Sequence, residues 1–206
     1  MLFDILVRKY DLNISGVIHI GAHAGAEYKC YKRNEFLNIM LFEPLPKVFD
    51  SLKAHVNDGA IIYNVALGNE TKVVKMFVDT ENKGQSSSIL EPKRHLDIYP
   101  NITFDKNNIV EVDMAKLDDY NIDPRLYNLI NIDVQGYELE VLKGAKRTLT
   151  HVDYVMAEVN KIELYSGCVL VDELDEYLIT YGFERVHMVW SEGNGWGDAL
   201  YIKVGD

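Results

Sequence analysis

The sequence predicts an α/β fold: one domain, residues 1–206, built on a mostly parallel sheet with helices on both faces. An antiparallel hairpin closes the sheet, and a small β insertion follows the third strand. Three observations predict this. Short β-branched runs alternate with helical stretches for most of the 206 residues, the pattern of parallel strands joined by crossover helices. The first of these runs ends in a glycine loop. The last two, Phe183 to Trp190 and Asp198 to Val204, are joined by the Gly-rich SEGNGWG and read as a hairpin.

Gly16 to Ile20 (GVIHI) is short, apolar and β-branched, hence a strand. Ala26 to Asn34 reads as the helix after it, and Asn38 to Glu43 as the second strand. Pro46 opens a helix that runs to Val56, because proline has no N–H to leave unpaired in a first turn. Ala60 to Leu67 reads as the third strand. The alternation then breaks. Between Thr71 and Asp113 the runs VVKMFV, SSSIL and IVEV, separated by polar turns, predict short antiparallel strands. It resumes with the strand Leu126 to Asp133, the helix Glu138 to Lys146 and the strand Val152 to Glu158. Val169 to Tyr181 follows as an amphipathic helix, with Leu170, Leu174, Leu178 and Tyr181 at helical spacing.

Composition bounds the function. Hydrophobic residues are 48% and charged residues 26%, which is globular rather than disordered. The net charge of −11 repels phosphate backbones and argues against a nucleic-acid partner. No apolar window is long enough for a membrane span. Residues 1–10, with Asp4, Arg8 and Lys9, lack a signal-peptide pattern. The expectation is a soluble, cytoplasmic protein with no membrane partner. Cys30 and Cys168 make neither a disulfide framework nor a metal motif and read as free buried thiols.

The glycine loop is His19-Ile20-Gly21-Ala22-His23-Ala24-Gly25. Gly21 and Gly25 let the backbone pass close to a ligand where a Cβ would intrude. A tight strand-to-helix turn with no ligand explains the same pattern. The dinucleotide motif GxGxxG is not matched, since His23 occupies its second glycine and Glu27 lies beyond its third. A triphosphate loop is absent as well. Glu43 ends the second strand 22 residues after Gly21, the spacing at which a carboxylate accepts hydrogen bonds from ribose hydroxyls. Asp133 and Glu158 end later strands, where polar tips point into the cleft. Asp133 also reads as a cap for the following helix.

These segments resemble the S-adenosylmethionine-dependent methyltransferases of the FkbM type, from about Gly16 to Tyr201. VIHIGAHAG is similar to that family's VIDIGANxG, LFEPLPKVFDSL to FEPxPxxFxxL, NVALGN to its third segment, and VDMAKLDDY to its LDD segment. NLINIDVQGYELEVLKGA, similar to xKIDVEGxExxVLxGA, is the most specific of them. The resemblance implies a Rossmann-like class I methyltransferase fold with S-adenosylmethionine as cofactor. It implies cofactor contacts by Gly21, Ala22, His23, Gly25 and Glu27 in the first segment, Glu43 and Pro44 in the second, Asn64 and Ala66 in the third, and Asp133. It also implies O-methylation of a small-molecule or glycan hydroxyl. His19, His23 and Gln135 depart from the family's usual Asp, Asn and Glu. Glu27 stands where it can supply the carboxylate that His19 lacks.

Methyl transfer to a hydroxyl needs the nucleophile aligned and its proton removed. Asp133 is the leading candidate for the base or orienting group, with His23 as the alternative. His19 and His187 read as internal strand residues. Trp196 reads either as a platform for a sugar ring or as hairpin core. Asp133, Glu158 and Asn160 form a less favoured oxygen set for Mg²⁺, which the resemblance does not imply. Two other classes stay open: a non-catalytic cofactor- or partner-binding protein, and an NAD-binding oxidoreductase.

Overall fold

The structure, a computed structural model, describes residues 2–56, 59–99, 104–191, 193 and 195–205. In chain order the elements are α1 (Leu2–Lys9), β1 (Gly16–Ile20), α2 (Tyr28–Arg33), β2 (Asn38–Phe42), α3 (Pro46–His55) and β3 (Ile61–Tyr63). There follow β4 (Ala66–Leu67), β5 (Lys72–Asp79), α4 (His95–Ile98), β6 (Phe104–Ala115) and a 3₁₀ turn at Leu117–Asp119. The second half comprises β7 (Leu129–Ile132), α5 (Glu138–Lys143), α6 (Lys146–Leu149), β8 (Tyr154–Asn160), α7 (Val171–Ile179), β9 (Phe183–Trp190) and β10 (Trp196–Lys203).

The main sheet has the order β3-β2-β1-β7-β8-β10-β9. Its first five strands are parallel, and β10 runs antiparallel to both β8 and β9. All five residues of β1 are buried, which explains a run that is apolar but for His19. Ile18 and Ile20 face one core layer with Val141, Leu142, Leu174 and Leu178 of α5 and α7. Val17 faces the other, with Phe3, Tyr31 and Leu52 of α1, α2 and α3. Each such fully buried aliphatic side chain contributes about 1.5–3 kcal/mol. Cys30 and Cys168 are buried and unpaired. No helix among the described residues is long and apolar enough to cross a membrane.

Four segments differ from the sequence reading. The expected strand Ala60 to Leu67 is split. β3 pairs with β2 in the main sheet, whereas β4 pairs with β6 in a second sheet of order β4-β6-β5. Between them the Asn64 side-chain amide donates to the carbonyls of Glu43 and Pro44, turning the chain. SSSIL is a loop rather than a strand. Asp79 accepts the backbone N–H groups of Asn82 and Ser86 and folds the segment back, leaving Ser88 with a single bridge to Phe77. The helix expected to reach Lys146 stops at Gly144, which packs against the Gly68 carbonyl too closely for any Cβ. Finally, α1 had no motif to announce it. Phe3 and Leu6 dock on the sheet's flank, and Asp4 accepts from Cys30 Sγ, Arg33 and Asn34 of α2. Residues 192 and 194 of the SEGNGWG connection lie outside the described residues.

Candidate active site

The chain builds the sheet outward from β1 in one direction and from β7 in the other. A crevice therefore opens beyond the carboxyl ends of these two strands. Gly21 follows β1 and Asp133 follows β7. The Asp133 N–H donates to the Ile20 carbonyl at 2.9 Å, continuing the ladder. The N–H groups of Gly21 and Ala22 both donate to the Phe42 carbonyl, at 3.0 and 2.9 Å. Gly21 has φ +83°, and a Cβ on it would run into the Asp133 carbonyl. Gly25 has φ +80°, and its Cβ would approach Leu52 Cδ1 to 2.8 Å. Gly25 thus faces α3, so packing rather than ligand approach requires a glycine there.

A cavity of about 500 Å³ fills the crevice, within the size range of ligand sites. Gly21, His23, Glu27, Glu43, Pro44 and Ala66 line one side. Asp133, Gln135, Glu158, Trp196 and Asp198 line another, and Asn82, Gly84, Gln85, Ser86 and Ser87 of the insertion a third. Ala22 is fully buried beneath the loop. Asn64 is exposed and tied to the Glu43 and Pro44 carbonyls.

Glu43 is buried, and its carboxylate accepts the His23 N–H at 2.9 Å and the Leu45 N–H at 2.8 Å. Burial pushes its carboxyl up to about 7, with the two amides opposing and the charge of Asp133 adding to the rise. The imidazole Nε2 of His23 lies 2.9 Å from the Lys83 carbonyl oxygen, to which it donates. His19 is buried, and burial lowers its pKa and keeps it neutral. Its Nδ1 lies 3.1 Å from the Tyr31 hydroxyl, which accepts from Asn131 at 2.6 Å. His19 is therefore satisfied structurally, as expected. His187 is half-buried on β9 and meets Tyr10 and Lys9 instead of the cavity.

Asp133 lines the cavity and is exposed there. Desolvation by the surrounding protein raises it to about 6; the Gln135 hydrogen bond opposes this, and Asp198 and Glu27 add to it. The Gln135 amide donates to Asp133 Oδ1 at 2.8 Å and to Glu158 Oε1 at 3.0 Å. Two oxygens on one nitrogen lie no more than about 6 Å apart. Paired negative charges at that distance repel by about 3 kcal/mol at an effective dielectric near 20. Burial and the neighbouring acids Asp133, Glu138 and Asp198 push Glu158 well above the carboxylate range. A cation shared by these two acids would have to displace the Gln135 amide. Asn160, the third member of the oxygen set, is fully buried with neither side-chain atom bonded. Among the described residues no group of three His, Cys, Asp or Glu side chains is arranged to hold a metal ion.

Several residues in the cavity wall, such as Asp198, or buried behind it, such as Glu138 and Tyr165, escaped the sequence reading. Asp198 stands directly across from Glu158 in the β8–β10 register, which only the hairpin pairing reveals. Glu138 is fully buried, accepts the N–H groups of Val134 and Gly136, and is raised by burial to about 7. The Tyr165 hydroxyl bonds to the Ser86 carbonyl and to Gln135 Oε1. The sequence places the insertion from Thr71 to Asp113 and the final hairpin at the acceptor pocket, and insertion residues do line the cavity, but no motif singled them out one by one.

Residues 19–185 match the model of the methyltransferase FkbM domain. The 2-O-methyltransferase NoeI of Sinorhizobium fredii (strain NBRC 101917 / NGR234) is 27% identical, and the match covers 73% of this chain and 65% of that protein. The chain thus spans about two thirds of that relative's length. Magnesium protoporphyrin IX methyltransferase from Synechocystis PCC 6803 with bound SAM superposes with TM-score 0.56 at 8% identity, covering 98% of this chain and 76% of that one. A SAM dependent methyltransferase from Aquifex aeolicus gives 0.53 at 12%, covering 98% and 89%. These two show the fold, a Rossmann-like class I methyltransferase fold with antiparallel C-terminal strands. Fold neighbours also include chains described as RNA methyltransferases, so the fold does not carry the exclusion of nucleic acid that net charge suggested. With the family's segments in order along its length and its glycine loop and strand-tip acids around one cavity, the chain belongs to the FkbM-domain methyltransferase family.

Proposed function

We propose that the chain binds S-adenosylmethionine in this cavity and methylates a hydroxyl oxygen of a small-molecule or glycan acceptor. The observation that carries the reading is the convergence of the Gly21 loop, Glu43 and Asp133 on one cavity. The residues suit the cofactor. Each oxygen of Glu43 holds one amide proton, which leaves lone pairs to accept from ribose hydroxyls. Pro44 and Ala66 offer apolar surface beside it. Gly21, Glu27 and the backbone of His23, whose imidazole is engaged by the Lys83 carbonyl, would hold the amino-acid end. When bound, the cofactor supplies an activated methyl group.

Asp133 would orient the acceptor hydroxyl and take its proton. A carboxyl raised to about 6 is mostly ionised at neutral pH and still basic enough for the task. Gln135 fixes that carboxylate in place. Glu158 and Asp198 offer acceptors to neighbouring hydroxyls, and half-buried Trp196 an aromatic face. The relative described as a 2-O-methyltransferase supports oxygen as the methylated atom. Calorimetry with S-adenosylmethionine, followed by a mass-spectrometric screen of hydroxylated acceptors, tests the reading. Binding with methylated oxygen as product is expected. Failure to bind the cofactor would overturn it.

A further inference from the structure

His23 joins three segments. Its backbone N–H donates to Glu43 Oε2, and its imidazole Nε2 donates to the Lys83 carbonyl oxygen. A carbonyl oxygen only accepts, so Nε2 carries the proton. Its φ is +47°, an uncommon conformation for a residue with a side chain, which persists where the surroundings hold it.

Lys83 belongs to the segment from Asp79 to Ser88, which Asp79 organises from within. The Asp79 carboxylate accepts the N–H groups of Asn82 and Ser86, both at 2.7 Å. The far end of the segment is tied beside Asp133. Ser88 Oγ donates to the Gln135 carbonyl at 2.8 Å, and the Tyr165 hydroxyl lies 2.8 Å from the Ser86 carbonyl oxygen. The segment therefore spans the cavity from the glycine loop to Asp133. The residues it gives to the cavity wall include Asn82, Gln85, Ser86 and Ser87; amides and hydroxyls pair with an uncharged, hydroxyl-rich molecule, and the Ser87 hydroxyl also accepts the Asp79 N–H within the segment.

We propose that residues 79–88 form the acceptor wall and that His23 is the positioning residue coupling this wall to the cofactor loop. A cofactor seated against Gly21 and His23, which line the cavity, fixes His23 and, through the Lys83 carbonyl, the wall. Acceptor binding then follows cofactor binding. The proposal rests on the cofactor reading above.

The test is hydrogen–deuterium exchange with S-adenosylhomocysteine as the probe, its binding measured by calorimetry on the same preparation. In the wild type the probe should slow exchange in both 21–25 and 79–88. His23→Gly keeps the backbone conformation without strain. It should still bind the probe and show protection at 21–25, yet lose the probe-dependent protection at 79–88. A merely structural role would raise exchange in the free protein without abolishing that increment. His23→Gln, with an amide donor in place of the imidazole, should restore part of it. If the probe binds the wild type and leaves 79–88 unchanged, the coupling is wrong. Equal protection in His23→Gly would also overturn it. Absence of binding to the wild type would overturn the cofactor reading and this inference with it.

Discussion

Glu43 accepts the backbone N–H of His23 at 2.9 Å. The acid at the tip of β2 thus holds the glycine loop as well as facing the cavity. Above the value of about 7 at which Glu43 ionises, Glu43→Ala removes a charged acceptor, and hydrogen bonds to charged groups contribute about 1.5–3 kcal/mol. Cofactor affinity should fall about 10- to 150-fold. Calorimetry checks this, and a loss below twofold would mean that Glu43 serves the loop alone. The melting temperature should drop too, since the N–H groups of His23 and Leu45 lose their partner.

The two loop glycines should behave differently. A Cβ on Gly21 meets backbone, the Asp133 carbonyl, which cannot move without breaking the β1–β7 ladder. Gly21→Ala should cost more than about 2 kcal/mol. A Cβ on Gly25 meets the end of a side chain, Leu52 Cδ1. Gly25→Ala should be destabilising through its positive φ and this contact, and Leu52→Ala in the same chain should relieve only the contact. Denaturant melts of the three variants decide it. Loss of cofactor affinity in a fully stable Gly25→Ala would show that Gly25 acts on the ligand instead.

Stability should fall as pH rises. Burial lifts Glu43 and Glu138 from an ordinary value of 4.5 to about 7. The folded state therefore holds protons that the unfolded state has released. That contribution is full below about pH 4.5 and is lost as pH climbs through about 7, roughly 3 kcal/mol for each acid. The melting temperature of the free protein should be higher near about pH 5.5 than near about pH 8. A flat or opposite trend would mean that these carboxyls are better solvated than their burial indicates.

The parts of the fold legible in the sequence are those with strong local signals. Gly16–Ile20 is buried on both faces and so reads as a short run that is apolar except for His19. Gly21, Glu43 and Asp133 sit at strand ends, and a parallel sheet gathers strand ends in one place. Pro46 marked the start of α3. What stayed hidden depends on partners distant in sequence. The break after Tyr63 is set by Asn64 bonding to Glu43 and Pro44. The loop in place of the SSSIL strand is set by Asp79 reaching Asn82 and Ser86. Asp198 meets Glu158 only through the register of β8 with β10. Neither propensity nor periodicity records such pairings.

The central claim is that Asp133 acts on the acceptor hydroxyl. The decisive measurement is turnover of Asp133→Asn beside the wild type, with cofactor affinity measured on the same sample. Affinity should stay near normal and turnover fall by roughly 10²–10⁴, the range for a lost acid–base group. Wild-type turnover should also rise as pH passes through about 6, where the carboxyl ionises. The helix-cap role expected from the sequence is not what the structure shows, since Tyr137 is the N-cap of α5 with no side-chain cap bond and Asp133 accepts from Gln135 instead. Near-normal turnover in Asp133→Asn would contradict the claim.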